Sequence, residues 1–347
     1  MKNNKIIVIL GQTATGKSDF AVEVAKKVSG EIISADSRQV YKGMDLGTGK
    51  ITSDTKNSLN FSTGQAKKKN VFTHKGIPHY LLDVVSPSKI FTVNDFQKLA
   101  NKKIEEIIKC GKIPIICGGT GFYIDAVVNG TVFPNVLPNK KLREKLSKKT
   151  ASQLFEILKK IDKNRAKNID AKNSVRLIRA IEIAKALGKV PELKTKSETN
   201  SAMAEFVSDA KFEILKIGLS LPPEILKERI KTRLLSRIKK GMIKEIENLH
   251  KSGVSWKRMN SFGLEYRYVA LYLQKIKTVS SPRLRQAKKN EILEKLNTEI
   301  WHFAKRQKTW FKRDPNTIWI DPRKKSEKLK AQKEIKKFLL AHQQGGK

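Results

Sequence analysis

The sequence is poor in acidic residues, in cysteine and in long apolar runs. Of its 347 residues only 33 are Asp or Glu, against 72 Lys or Arg, so the net charge is +39. A compact chain with such an excess repels itself, which favours a polyanionic partner, most often a nucleic acid. A lysine-rich proteome is the alternative source for part of this excess.

The two cysteines, Cys110 and Cys117, form no CxxC pair and have no clustered histidines nearby. Their number excludes a disulfide framework, and their isolation argues against a structural zinc site. No stretch approaches the ~18 apolar residues of a membrane span, and the apolar run near the N-terminus is too short for a signal-peptide core. We therefore expect a cytoplasmic protein with no membrane partner.

Short apolar, β-branched runs alternate with amphipathic helical patterns over most of the chain. This alternation predicts the α/β class, with a parallel sheet flanked by helices. The strands are predicted at 5–10, 31–36, 79–85, 112–121, 212–221 and 317–322. The helices of this pattern are predicted after Ser18, between Thr92 and Gly111, and over 224–250.

The pattern changes between 138 and 205, where basic amphipathic stretches such as 173–189 replace strand-like runs. We therefore predict a helical insertion inside the sheet domain, and a polar surface loop at 52–76. The predicted boundaries are 1–137 and 206–322 for the two parts of the core, 138–205 for the insertion and 323–347 for a basic tail. The predicted helix that begins after Thr92 turns four apolar residues inward: Phe96, Leu99, Ile104 and Ile107.

The stretch GQTATGKS fits the phosphate-binding pattern GxxxxGK[ST] and lies between a predicted buried strand and an amphipathic helix. Its backbone N–H groups can surround a phosphate, Lys17 can neutralise the outer oxygens, and the Ser18 hydroxyl can hold Mg²⁺. With this motif the predicted parallel sheet flanked by helices is P-loop NTPase-like. A glycine-rich turn with a solvent-exposed lysine is the alternative. The predicted phosphate ligands are Gly11, Gln12, Thr13, Ala14, Thr15, Gly16, Lys17 and Ser18.

Asp36 follows the second predicted strand, at the edge where open α/β sheets bind ligands. It could be a metal ligand, a general base or only a turn residue. Ser37, Gln39 and Tyr41 beside it suit hydrogen bonding to an organic substrate. The strand that ends in GGTG has no carboxylate of its own.

Two further stretches combine positive charge with apolar residues. In 224–250, Arg229, Arg233 and Arg237 recur at the helical spacing beside an apolar stripe, so they can clamp phosphate oxygens or form a solvated basic face. In 299–313 aromatic residues alternate with cations, which suits stacking on bases and pairing with phosphates. Of these aromatics, Phe303, Trp310 and Phe311 are expected to lie in the core.

Together these motifs resemble the bacterial tRNA dimethylallyltransferases, also called tRNA isopentenyltransferases. The matching stretches fall in family order across most of the chain, and DSRQVYKGMDLGTGK and AKRQKTW are distinctive. The resemblance implies transfer of the prenyl group of dimethylallyl diphosphate to N6 of adenosine 37 in tRNA, with Mg²⁺ as cofactor and pyrophosphate as product. It implies a monomer, with tRNA as its macromolecular partner.

The resemblance also implies roles for single residues. Asp36 is similar to the general base, while Thr120 and Arg233 match positions that stabilise the diphosphate. The tRNA contacts that it implies are Asp36, Ser37, Arg38, Gln39, Arg143, Arg176, Arg179, Lys305, Arg306 and Gln307. Glu265 departs from the family pattern, since many members have a basic residue there.

Three other functions fit parts of the pattern. An adenylate-type isopentenyltransferase has the P-loop and the aspartate, but it needs neither the helical insertion nor the basic C-terminal segment. A small-molecule P-loop kinase would bind ATP and would not need the cations around Arg306. A non-catalytic RNA-binding protein with a relict P-loop would be indifferent to Asp36→Asn.

Overall fold

The computed structural model describes residues 4–54, 71–192 and 212–341. Within these ranges it contains seven strands, which are β1 Lys5–Gly11, β2 Gly30–Ala35, β3 Phe72–His74, β4 Ile77–Tyr80, β5 Ile113–Gly118, β6 Glu213–Leu219 and β7 Ile318–Ile320. They form one sheet in the order β3-β4-β2-β5-β1-β6-β7. The β3–β4 pair is antiparallel and the other neighbours are parallel, so the predicted α/β class is confirmed.

Helices surround this sheet and also form a separate unit. Their bounds are α1 Lys17–Val28, α2 Val93–Lys109, α3 Gly121–Val128, α4 Lys140–Ser147, α5 Ala151–Ile161, α6 Lys163–Lys167, α7 Ser174–Leu187, α8 Pro223–Lys239, α9 Met242–Lys251, α10 Trp256–Asn260, α11 Leu264–Ile276, α12 Pro282–Phe311 and α13 Lys325–Leu340. The chain divides into two compact units, one made of 1–128 with 206–347 and the other of 129–205.

The core of the first unit lies on both faces of the sheet. The central strands β1, β2 and β5 are buried along their whole length, as expected for parallel strands covered on both sides. Apolar residues of α1 and α13 pack on one face, and those of α2 and α3 pack on the other. A third apolar cluster joins α8, α9, α11 and α12 to the segment after β2.

The register of the strands brings their carboxyl ends to one level. Gly118 is paired with both Leu10 and Ala35, and Gly11 is paired with Leu219. The loops that follow β1, β2, β5 and β6 therefore leave the sheet side by side. This edge is where open parallel sheets bind ligands.

Two predicted segments near the edge of the sheet differ from the structure. The strand predicted at 79–85 ends at Tyr80, because Leu81 and Asp83 have positive φ angles of 61° and 53° that break the extended backbone. The loop predicted at 52–76 contains β3, which pairs with β4. Residues 55–70 of that loop lie outside the described residues.

The helix predicted over 224–250 is two helices, α8 and α9. They are separated at Gly241, whose φ of 101° an ordinary helix interior cannot contain.

The basic tail predicted at 323–347 contains a helix, since its residues 325–340 form α13. That helix buries Ala331 and Ile335 against the sheet.

Two predicted core residues are exposed. Leu99 is on the outer side of α2, where Ala100 points inward instead. Phe303 is exposed on α12, whereas Phe311 on the same helix is buried as predicted. A capping box between Thr92 and Asp95 begins α2, so the helix predicted to begin after Thr92 is confirmed.

The second unit is helical over its described residues. Its own apolar cluster includes Leu146 of α4, Leu154 and Leu158 of α5 and Leu177 and Ile181 of α7. The domain boundary predicted at 138 and the division of the structure at Asn129 place the same helices, α4 to α7, in this unit.

Candidate active site

The phosphate-binding pattern forms a loop between β1 and α1. Lys17 Nζ donates to Gln12 O (2.6 Å), and Thr15 Oγ1 donates to the same carbonyl (2.8 Å), so both side chains fasten the loop to itself. Burial, together with the nearby Arg233 guanidinium, lowers the pKa of Lys17 to about 8. A charged lysine and the N-terminus of a helix meet here, as an anion site requires.

Gln307 of α12 joins this loop to the turn after β5. Its Oε1 accepts from Thr13 N (2.8 Å) and its Nε2 donates to Gly119 O (2.8 Å). Only 7% of the residue is exposed. Both ends of its amide are therefore engaged inside the protein, and the tRNA contact of Gln307 stays a prediction.

Asp36 lies directly after β2 and lines the same cavity as Lys17 and Arg233. Its Oδ1 accepts from Arg38 N (2.8 Å) and more weakly from Gln39 N (3.4 Å), so the carboxylate starts a turn. Among the hydrogen bonds of the described residues, none reaches Oδ2. The turn thus holds the carboxylate in place and leaves one oxygen to face the cavity.

Thr120 connects the turn after β5 to the turn at Asp36. Its Oγ1 accepts from Ser37 N (3.0 Å), and its own N–H donates to Ala35 O (3.2 Å). The hydroxyl therefore lies beside Asp36 at the carboxyl ends of the neighbouring strands β2 and β5.

The arginine row of α8 faces the P-loop. Arg233 NH1 donates to Thr13 Oγ1 (3.4 Å), and burial together with the neighbouring Arg237 lowers the pKa of Arg233 to about 10. Arg237 NH1 pairs with Glu265 (3.2 Å), the residue that departs from the family pattern. Arg229 is exposed and also lines the cavity. The clamp interpretation of this row is thus favoured over a solvated face.

These elements enclose a cavity of about 1090 Å³. Its lining combines the P-loop and Asp36 with cations, and with aromatic side chains from α12. The lining residues that sequence analysis had singled out include Thr13, Gly16, Lys17, Ser18, Asp36, Ser37, Arg38, Gln39, Thr120, Arg229, Arg233, Arg237, Phe303, Arg306, Gln307 and Trp310.

The donor set suits a magnesium ion that arrives with a phosphate ligand. Mg²⁺ prefers oxygen ligands, keeps several waters and is usually bound through one or two protein oxygens together with phosphates. Ser18 and Asp36 line the cavity with oxygen atoms. Within the described residues no three His, Cys, Asp or Glu side chains converge as a metal cage would. The residues present thus fit Mg²⁺ held jointly by Ser18 and a diphosphate.

Three of the predicted tRNA contacts lie in the second unit. Arg143 donates to both oxygens of Glu182 (3.0 and 2.7 Å), and Arg179 donates to the same carboxylate (2.6 Å). Burial by itself raises the pKa of Glu182, but the two guanidiniums and the Asn139 N–H lower it to about 2. Arg143 and Arg179 are half-buried, while Arg176 is exposed.

Sequence analysis missed three residues that hold this site together. They are Lys50, Glu245 and Tyr266. Lys50 belongs to the segment DLGTGK at 45–50, Glu245 accepts from backbone N–H groups of this segment, and Tyr266 donates to Glu245. The signal for this segment was its distinctive sequence, but its partners in α9 and α11 are about 200 residues further along the chain and no local pattern names them.

None of the helices that the structure describes combines the length and the apolar character of a membrane span.

The family model of the IPP transferases matches residues 39–314, and that of the isopentenyl transferases matches residues 4–61. The chain is 42% identical to the tRNA dimethylallyltransferase 2 of Treponema denticola over 90% of its own length and 92% of the relative's. It is 38% identical to the tRNA dimethylallyltransferase 1 of Syntrophus aciditrophicus, with 92% and 94% covered.

Solved structures show the same likeness. The full-length tRNA isopentenylpyrophosphate transferase of Bacillus halodurans superimposes with a TM-score of 0.65 at 29% identity, with 98% of each chain covered. A eukaryotic dimethylallyltransferase acting on tRNA superimposes with a TM-score of 0.63 at 25% identity, over 89% of this chain and 70% of that one.

Proposed function

Because the chain belongs to the IPP transferase family, we propose that it transfers the dimethylallyl group of dimethylallyl diphosphate to N6 of adenosine 37 in tRNA. The observation that carries this proposal is the single cavity in which Asp36 faces the P-loop, Lys17 and Arg233. A base and an anion site that line one cavity are what a prenyl transfer to an amine needs. The +39 net charge suits a tRNA substrate, and a tRNA substrate supports the expected cytoplasmic location.

The geometry supports one division of labour in the transfer. The N6 nitrogen forms a bond to C1 of the dimethylallyl group while the bond from C1 to the diphosphate oxygen breaks and pyrophosphate leaves with the electron pair. Asp36, fixed by its turn, takes the proton from N6, which is a weak nucleophile by itself. Thr120 lies beside it and orients the reacting groups.

The leaving group gains negative charge as the bond breaks, so the cations that line the same cavity act on it. The P-loop N–H groups, Lys17 and Arg233, which line the cavity, stabilise that charge. When bound, Mg²⁺ would neutralise further charge on the diphosphate oxygens, and the Ser18 hydroxyl at the start of α1 would hold it. Adenosine 37 must leave its stacked position to reach Asp36.

Cations around the cavity are proposed to hold the tRNA. Ser37, Arg38, Gln39 and Arg306 line the cavity where the base would enter. Lys305 is exposed one residue before Arg306 on α12. The other proposed phosphate contacts are Arg143, Arg176 and Arg179 of the second unit. Of these, Arg143 and Arg179 donate to Glu182.

The test is to incubate the protein with Mg²⁺, dimethylallyl diphosphate, an unmodified tRNA and AMP as a competing acceptor, and to analyse the nucleosides by mass spectrometry. We expect N6-dimethylallyladenosine in tRNA and none on AMP. Product on AMP would favour the adenylate-type isopentenyltransferase. Consumption of ATP without any prenylated product would favour the kinase.

Asp36→Asn tests the base within the same assay. We expect product formation to fall by about 10² to 10⁴ fold, while binding of pyrophosphate persists. Asp321→Asn is the matched control, since Asp321 Oδ1 accepts from Arg323 N (3.0 Å) in a similar turn after β7. An Asp36→Asn enzyme as active as the control would refute the assignment of Asp36 as base.

A further inference from the structure

The segment 45–50, DLGTGK, folds into a turn that is fastened from within. Lys50 Nζ donates to Asp45 Oδ1 (2.6 Å), to Asp83 Oδ1 (2.5 Å) and to Tyr41 O (3.2 Å). Only 2% of the Lys50 side chain is exposed. A buried lysine with three acceptors fixes both ends of the turn, because a shift of the turn would remove hydrogen bonds from a charge that has little access to water.

Glu245 of α9 fastens the same turn from outside. Its Oε2 accepts from Asp45 N (3.0 Å) and Leu46 N (2.6 Å), and its Oε1 accepts from Gly47 N (3.0 Å). Tyr266 OH also donates to Oε1 (2.8 Å). One carboxylate thus gathers four donors, three of them consecutive backbone N–H groups, so the turn cannot shift without breaking charge-assisted hydrogen bonds.

The far side of this turn lies directly against two arginines of the cavity. A Cβ atom built on Gly49 would lie 1.6 Å from the Nη2 atom of Arg237 and 2.1 Å from the Nη2 atom of Arg233. Gly49 has a φ of 63°, so the conformation favours glycine as well. The backbone at Gly49 therefore limits the positions that both guanidinium groups can take.

The same guanidinium groups are those that face the phosphate loop. Arg233 contacts Thr13 of that loop, and Arg237 is held from its other side by Glu265. Gly47, Thr48, Gly49 and Lys50 line the cavity together with them. The turn, the arginines and the P-loop thus form one continuous set of contacts.

We propose that the turn 45–50, anchored by Glu245, is a positioning element that sets Arg233 and Arg237 for the diphosphate, with Gly49 as its contact point. The inference rests on the proposed function, since it concerns the diphosphate side of that site. Gly49 and Glu245 act on the ligand only through the two arginines. A turn that served stability alone would affect folding without a specific effect on anion binding.

Gly49→Ala is the direct test, and the chain offers a matched control in Gly76→Ala. Gly76 has a φ of 79°, so both substitutions strain the backbone, but a Cβ at Gly76 would meet nothing within 4 Å. We expect both variants to lose similar stability in thermal unfolding. In calorimetric titration with inorganic pyrophosphate and Mg²⁺, Gly49→Ala should bind about ten- to a hundredfold more weakly than wild type, and Gly76→Ala should bind like wild type.

Glu245→Gln tests the anchor without adding volume, and it serves if Gly49→Ala does not fold. The amide replaces one acceptor oxygen by an NH₂ group, which would face backbone donors. We expect KM for dimethylallyl diphosphate to rise more than kcat falls. Glu247→Gln is the control on the same helix, since Glu247 pairs only with Lys244 and Lys251 among the ion pairs of the described residues.

The outcomes separate this inference from the proposed function. If the wild type prenylates tRNA and binds pyrophosphate, but Gly49→Ala and Glu245→Gln bind it equally well, the inference is wrong and the function stands. If the wild type neither binds pyrophosphate nor prenylates tRNA, both are wrong.

Discussion

At the scale of single residues, Lys17 shows how the fold changes the chemistry of a side chain. Burial and the neighbouring Arg233 lower the pKa of Lys17 to about 8. In the ligand-free protein the charged form therefore costs stability at low pH, and that cost disappears as the pH rises from about 8 towards the ordinary lysine value. A bound polyanion has the opposite effect, because it favours the charged form.

This gives a pH prediction for anion binding. We expect the advantage of wild type over Lys17→Ala in pyrophosphate affinity to be full below about pH 8 and to shrink as the pH rises above it, because free Lys17 must then take up a proton to bind. The affinities of wild type and Lys17→Ala are measured by calorimetric titration at several pH values. Their ratio cancels the effect of the titration of pyrophosphate itself, because that effect is the same for both proteins. A ratio that stays constant from pH 7 to 9.5, roughly one unit or more on either side of the Lys17 pKa, would contradict the lowered value.

At the scale of elements, α12 contributes more to the phosphate side of the site than its basic sequence indicates. Its buried stripe contains Ile300, Ala304, Gln307 and Phe311, so Gln307 occupies a core position of the helix. From there it bridges the loops after β1 and β5. The helix thereby sets the distance between the P-loop and Thr120.

Gln307→Ala should therefore act on diphosphate binding and leave tRNA affinity unchanged. It leaves Thr13 N–H and Gly119 O without their partner, which costs about 1–3 kcal/mol. We expect kcat/KM for dimethylallyl diphosphate to fall, with an unchanged Kd for tRNA in a filter-binding assay. Gln286→Ala on the same helix is the control, since Gln286 is exposed and its side chain bonds only Asn290 among the hydrogen bonds of the described residues. A selective loss of tRNA affinity would instead support the tRNA contact that the sequence predicts for Gln307.

In the second unit, Glu182 organises α4 and α7. Only 2% of its side chain is exposed, and it receives Arg143, Arg179 and the Asn139 N–H. Because its pKa is lowered to about 2, its contribution to stability is full above the ordinary value near 4.5 and is lost as the pH falls towards 2.

We expect Glu182→Gln to speed hydrogen exchange in peptides of α4 and α7 at neutral pH and to leave those of the sheet unchanged. The loss of charge-assisted bonds should cost about 1–3 kcal/mol. Since the unit also carries the proposed tRNA contacts Arg143 and Arg179, tRNA affinity should fall as well. Glu144→Gln, on the exposed side of α4, is the control. Equal exchange in both variants would show that the network does not stabilise the unit.

At the scale of the whole molecule, the net charge of +39 sets how binding depends on salt. Neutralising phosphates releases counterions, so the logarithm of the binding constant falls linearly with the logarithm of salt concentration. Residues that contact phosphate contribute to this slope, whereas lysines elsewhere on the surface contribute little.

Lys305→Ala should therefore reduce the salt slope of tRNA binding by about 1, and Lys26→Ala should leave it unchanged. Both lysines are exposed, but Lys26 is near the end of α1, opposite the edge of the sheet that holds the site. Fluorescence anisotropy with labelled tRNA at several salt concentrations measures both slopes. Equal slopes for the two variants would mean that the charge acts only as a diffuse field.

The sequence alone determined the class of the fold, the P-loop and the place of Asp36. These depend on local order, because an apolar run, a glycine loop and the residue after a strand are neighbours along the chain. The register of β1, β2 and β5 then brought these predicted residues together. The arginine row of α8 was also predicted from its helical spacing.

Only the tertiary structure decided which partners those residues have. Gln307 is 294 residues from Thr13, and Glu245 is about 200 residues from the turn that it holds. Local patterns state which side chains are apolar or charged, but they do not state which distant backbone group a side chain will meet. That choice is made by the packing of α9 and α12 against the carboxyl edge of the sheet, since a buried polar group must find its hydrogen-bond partner wherever the fold provides one.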